Sequence, residues 1–183
     1  MKISFIIPNN STGVYQGLSN KYSAIEPPTW ALSLAQSVRS KGFQVEIVDT
    51  VAENLCDASL LKRLLTTKAE LICFVAYGQN VNAGTTSMSG VVRQAKYLKN
   101  NGFIKPLAVI GSHVQALPVE TLKKEPELDI VFTGEGVYPL IEIATLEDMS
   151  IKKLENIDGI AFRSGNKIKI NKGSRIVSAS DMD

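Results

Sequence analysis

The chain has 183 residues, 44% hydrophobic and 21% charged, with a formal net charge of +2. That length predicts one domain with a real core and room for a small appendage. A charge so near balance excludes the electrostatic footprint by which nucleic acid or anionic lipid is held, and the lysines at 123–124, 152–153 and 167–172 read as solvated faces.

Two cysteines, Cys56 and Cys73, and one histidine, His113, do not compose a zinc or iron–sulfur ligand set. Cys73 lies in an apolar run and reads as a buried core thiol. The apolar stretch at the N-terminus is broken by Pro8, too short for a signal peptide, and no segment is long enough to span a bilayer. The expectation is a cytoplasmic protein with neither a membrane nor a nucleic-acid partner.

In chain order, apolar runs and helical patterns alternate. Ile3 to Ile7 is the first run, rich in Ile and Phe without strict alternation, as in a strand buried on both faces. Roughly twenty residues follow before the next helix, against about 2–6 in an ordinary strand–helix connection, and loops that long tend to be functional. Thr29 to Lys41 carries Trp30, Leu34, Ala35 and Val38 at helical spacing and stops at Gly42, where a C-terminal cap belongs. Val45 to Val48 is the second strand, and Asp57 to Thr67 the second helix, with Leu60, Leu61, Leu64 and Leu65 repeating. Leu71 to Ala76 is the third strand, followed by a helix from Thr85 to Asn100. Leu107 to Ile110 is the fourth, followed by a short helix or turn from Leu117 to Lys124. Ile130 to Phe132 is the fifth, followed by a helix from Gly136 to Ala144.

Such alternation predicts parallel strands joined by right-handed crossovers. The fold class is α/β, a flavodoxin-like doubly wound five-stranded parallel sheet of order 2-1-3-4-5. Residues 159–163 and 167–170, around Gly165-Asn166, read as a C-terminal β-hairpin. The expected organisation is an α/β domain over residues 1–150, a small hairpin appendage over 151–172, and a linker or disordered tail over 173–183.

Ligands of open α/β sheets bind beyond the carboxyl ends of the strands, where strand order reverses. Four loops form that edge here: 8–17, with Asn9, Asn10 and Gly13; 77–84, with Tyr77, Gly78 and Asn80; 111–115, running from Gly111, Ser112 and His113 to Gln115; and 133–136, with Gly134, Glu135 and Gly136. They are built of Gly, Ser, Thr, Asn and Gln with almost no charge, a composition that hydrogen-bonds a large polar molecule and lets backbone approach it. Gly84 and Gly136 stand where helix N-termini could receive a phosphate. Plainer roles remain open: turns need Gly and Asn anyway, Glu135 suits a helix N-terminus, Tyr77 can cover the sheet end, and His113 can be a surface residue. Trp30, at helical spacing with Leu34, reads as core packing. No Ser/His/Asp set, carboxylate pair, G-x-G-x-x-G or P-loop is present.

The succession 27–32, then Lys41-Gly42-Phe43-Gln44-Val45-Glu46-Ile47-Val48-Asp49, then 109–118, then Asp129-Ile130-Val131-Phe132-Thr133-Gly134-Glu135-Gly136 resembles the N-terminal cobalamin (vitamin B12)-binding domain of cobalamin-dependent radical S-adenosylmethionine enzymes. The resemblance runs from about Lys2 to Lys172, and residues 157–163 look like the hairpin those proteins place before their catalytic barrel. Cobalamin domains of another branch carry D-x-H-x-x-G after the first strand, whose histidine ligates cobalt. Asn10 stands at that histidine's place and only Gly13 matches. The resemblance implies cobalamin as cofactor. It puts Asn9, Asn10 and Gly13 on one wall, and Gly111, Ser112 and His113 beneath the corrin or along the nucleotide tail. Gly134, Glu135 and Gly136 would hold the nucleotide loop, and Tyr77, Gly78 and Asn80 would meet the ring or its amides. The parent would be a methyltransferase or oxidative-cyclase-like enzyme. Its 4Fe-4S cluster and S-adenosylmethionine would belong to a C-terminal radical domain absent from this chain, which is not catalytic alone. The alternative is a flavodoxin-like binding or interaction module that has lost cofactor binding.

Overall fold

The structure is a computed structural model, and it describes residues 1–10, 25–78 and 81–178. The expected Gly13 and Asn80 lie outside the described residues. β1 (Ile3–Ile7) leads to α1 (Thr29–Ser40), β2 (Val45–Asp49), α2 (Asp57–Thr66), β3 (Leu71–Val75), α3 (Val81–Asn100) and β4 (Leu107–Ile110). Two short helices follow, α4 (Ser112–Ala116) and α5 (Pro118–Lys124), then β5 (Ile130–Phe132), α6 (Val137–Thr145), a one-turn α7 (Ile151–Leu154) and the hairpin β6 (Ile160–Ser164) and β7 (Lys167–Ile170).

All strands form one sheet in the order β2-β1-β3-β4-β5-β6-β7, so its parallel part has the expected 2-1-3-4-5 arrangement. The hairpin joins the same sheet: β6 runs antiparallel to β5, with Val131 opposite Ala161 and Ile130 opposite Phe162. Docking it covers the otherwise open edge of β5 and buries Ile160, Ala161 and Phe162 completely. β7 becomes the new edge, where Lys167 is exposed.

The period-two geometry of the strands splits the core into two layers. Ile3, Phe5, Cys73, Val75, Ile110, Ile130 and Phe132 face α1 and α6. Ile6, Ile72, Phe74, Val109 and Val131 face the layer built by α2, α3, α4 and α5. α1 buries Ala31, Leu34, Ala35 and Val38, one stripe at helical spacing, and ends at Gly42, whose φ of +86° supplies the left-handed cap. Burial pushes the Cys73 thiol up, consistent with a core role.

α3 begins four residues before the predicted Thr85, which places Gly84 inside the helix. A Cβ there would stand 2.2 Å from Ser112 Oγ, so this glycine serves the close passage of α3 by the β4 loop rather than capping a phosphate-receiving N-terminus. Gly136, by contrast, sits at the N-cap of α6 with φ of +81°. Among the described residues no helix is long and apolar enough to cross a membrane.

Candidate cofactor site at the carboxyl edge of the sheet

Between β1 and β3 the chain reverses its winding, and the loops leaving these strands part toward opposite faces of the sheet. A cleft of about 240 Å³ opens at that point. Ile7 and Val75, the last residues of β1 and β3, form its floor, and Pro27, Pro28, Trp30, Tyr77 and Gly78 its walls. Pockets for drug-sized ligands run to about 300–1,000 Å³, so this cleft suits one arm of a large ligand lying over the open edge.

Trp30 is not core: it is 52% exposed. The first turn of α1 overhangs the strand ends, so a residue in register with Leu34 meets the β3 loop instead of the sheet. Its ring stacks on Tyr77, with centroids 4.5 Å apart and planes 24° from parallel. The Tyr77 hydroxyl accepts a hydrogen bond from Gln115 Nε2 at 2.5 Å, and the same nitrogen donates to the Gly134 carbonyl at 2.6 Å. Burial pushes the Tyr77 phenol up to about 12; the Gln115 bond opposes this, and the nearby Glu135 adds to it. Tyr77 is therefore neutral through the physiological range.

The other expected residues divide by location. Gly111 is buried, and a Cβ on it would come within 2.4 Å of the Ala76 carbonyl oxygen, so the β3 and β4 loops touch through backbone. Ser112 and His113 begin α4 beside it and are half-buried. Gly134 lies against Ser174, exposed Glu135 accepts a hydrogen bond from the Val177 amide at 2.9 Å, and Arg175 lies 4.8 Å over the Tyr138 ring. The segment after β7 thus crosses the β5 loop. Asn9 and Asn10 are turned to α3: the Asn9 carbonyl accepts from Arg93 at 3.1 Å, and the Asn10 amide donates to the Thr86 carbonyl and accepts from Ser89 Oγ. The structure thus gathers Tyr77, Gly78, Gly111 and Gly134 about Gln115 and the cleft, while the Asn10 side chain is engaged elsewhere. Among the described residues, no three His, Cys, Asp or Glu side chains group to hold a metal ion.

A family described as "B12 binding domain" matches residues 15–144, more than half of the chain. The chain belongs to the B12-binding domain family. The match spans Tyr77, the β4 loop and the β5 loop and begins after Asn9, Asn10 and Gly13. This B12-binding domain is similar to an uncharacterized methyltransferase of Pyrococcus horikoshii, 24% identical over 169 residues that make up 92% of this chain and 34% of that protein. It is similar to the anaerobic magnesium-protoporphyrin IX monomethyl ester cyclase of Synechocystis, 26% identical over 144 residues, 78% of this chain and 27% of that one. The radical S-adenosylmethionine methyltransferase TsrM of Kitasatospora setae, solved with cobalamin and a 4Fe-4S cluster, has the same fold, with a TM-score of 0.66 at 13% identity over 93% of this chain and 30% of that one. The domain spans about a third or less of each relative.

Two residues of the site were not among the contacts named from sequence. Gln115 lay in a loop whose glycines drew attention, and its two-sided bonding depends on where β3 and β5 fall in space. Trp30 carried a readable signal: a tryptophan in the first helical turn, directly after Pro27-Pro28 and a long loop.

Proposed function

We propose that this chain is the cobalamin-holding unit of a cobalamin-dependent radical S-adenosylmethionine enzyme, a methyltransferase or an oxidative cyclase. The observation that carries the reading is the aromatic-walled cleft at the switch point of a B12-binding domain. Cobalamin combines a macrocycle edged with neutral amides and a nucleotide tail ending in a flat base. The residues present fit that chemistry: stacked aromatic walls for a planar group, close-packed glycine backbone, and side chains that are mostly uncharged.

When bound, cobalamin supplies a cobalt centre able to carry a methyl group or pass electrons. The chain's own residues hold and orient it. Trp30, Tyr77 and Gly78 receive one arm in the cleft. Gly111, Ser112 and His113 lie along it on the β4 side, and Gly134, Glu135 and Gly136 bound the β5 side. Asn9 and Asn10 complete the described edge, Asn10 mainly by fixing the first loop to α3, and Gly13 and Asn80, outside the described residues, are carried as cofactor contacts on the resemblance alone. The 4Fe-4S cluster and S-adenosylmethionine belong to a C-terminal radical domain of the parent protein, which we place in the cytoplasm.

Titrating the 183-residue chain with hydroxocobalamin tests the reading. Saturable binding at micromolar concentrations, seen as a change in the corrin absorbance, is the expected result. A cooperatively folded chain that leaves the spectrum unchanged at millimolar cobalamin would overturn it.

A further inference from the structure

We infer that Gln115 is a positioning residue, which sets the cobalamin affinity by holding the Tyr77 ring against Trp30. A primary amide nitrogen has two hydrogens. Here one goes to the Tyr77 hydroxyl at 2.5 Å and the other to the Gly134 carbonyl at 2.6 Å. Gln115 itself is fixed from below: its backbone N–H donates to the Gly111 carbonyl at 3.0 Å, and its neighbour Val114 is fully buried. One side chain therefore ties the β4 loop to the β3 loop and the β5 loop.

The consequence falls on the aromatic pair. Tyr77 follows β3 by two residues, and the Gln115 bond fixes its phenol end. Trp30, half exposed, is held by its stack on Tyr77. Without the bond the phenol can swing toward water, and the cleft loses a wall that is prearranged for its ligand. Prearrangement of this kind shows as affinity because the ordering is already complete before the ligand arrives. Asparagine is one methylene shorter, and glutamate has no hydrogen to donate, so neither reproduces the fork.

The inference rests on cobalamin occupying this edge, and the experiment separates the two claims. Trp30 is the only tryptophan, so its emission and its quenching by acrylamide report the stack in the ligand-free chain. Gln115→Leu, with Gln115→Met as a second variant of matching length, is compared with the parent chain by tryptophan emission, melting temperature and hydroxocobalamin titration. The expected result is a shifted and more quenchable emission, with Kd raised about 3- to 10-fold, the range of one lost hydrogen bond. Tyr77→Phe gives a similar loss of affinity, and combining it with Gln115→Leu adds little more, because both remove the same bond. If the parent chain binds cobalamin and whichever variant melts cooperatively binds equally well, the inference is overturned, whatever the emission does. An unchanged emission in both variants overturns it also. If the parent chain does not bind, the proposed function fails, and the emission alone decides whether Gln115 holds the aromatic pair.

Discussion

Trp30 and Asn10 exchange the roles their positions in the sequence suggest. Trp30 stands on the apolar stripe of α1 yet contributes to a cleft. Because it is half exposed, truncating it removes about half the burial of a core aromatic together with the Tyr77 stack. Trp30→Ala should therefore lower the melting temperature by a few degrees, less than a core truncation would, and raise the cobalamin Kd about 2- to 10-fold, the worth of a stacked aromatic contact. A thermal melt beside the absorbance titration reads both. Asn10 belongs to the edge loop expected to line the ligand, but its amide is spent on Thr86 and Ser89 of α3. Asn10→Ala should cost about 1–2 kcal/mol, lowering the melting temperature by several degrees, with less effect on affinity than Trp30→Ala. A larger loss of affinity than of stability would reverse that assignment.

Among the elements, β2 is held by more than its ladder. The Glu46 carboxylate accepts from Thr67 Oγ1 at 2.7 Å and from Ser4 Oγ at 3.2 Å, and pairs with Lys2 at 3.2 Å and Arg63 at 3.1 Å. Burial alone would raise its pKa, but the bonds from Thr67, Lys2 and Arg63 outweigh this and hold it at about 2, against an ordinary 4.5. A carboxylate depressed in the folded state contributes stability that is whole above pH 4.5 and is lost as the pH falls toward 2. Glu46→Gln should flatten the melting temperature over that window. Parallel curves for the two proteins between pH 2 and pH 6 would remove Glu46 from the account. Much of this level was legible in advance: the strand order follows from strict alternation of short apolar runs with helical stripes. The hairpin's docking on β5 was not, because an antiparallel return is set by which edge lies open in space. Gly84 misled for a related reason, since a glycine inside a helix and one at its start look alike until the neighbouring loop is known. The edge loops were legible in composition, and Gln115 was not, because its meaning lies in partners 38 and 19 residues away.

At the scale of the whole molecule, the described loops of the carboxyl edge are joined in pairs. Asn10 and Asn9 fasten the first to α3, Gly111 presses the β4 loop on the β3 loop, and Gln115 spans β3 to β5. The segment after β7 returns over the same edge, its Val177 and Ser178 amides reaching Glu135 and Tyr138.

The edge strand β7 has a consequence of a different kind. A sheet that ends in an open strand offers its free backbone groups to any other strand in the cell. β7 reads Lys167-Ile168-Lys169-Ile170, with Ile170 55% exposed, and so would be adhesive but for its two ammonium groups. Lys169 is partly neutralised by Glu155, which leaves the exposed Lys167 as the main guard. Replacing both lysines with valine should make the light scattering grow more steeply with concentration than in the parent chain. The same pair of charges that says nothing about cobalamin would then decide whether the protein survives long enough to bind any.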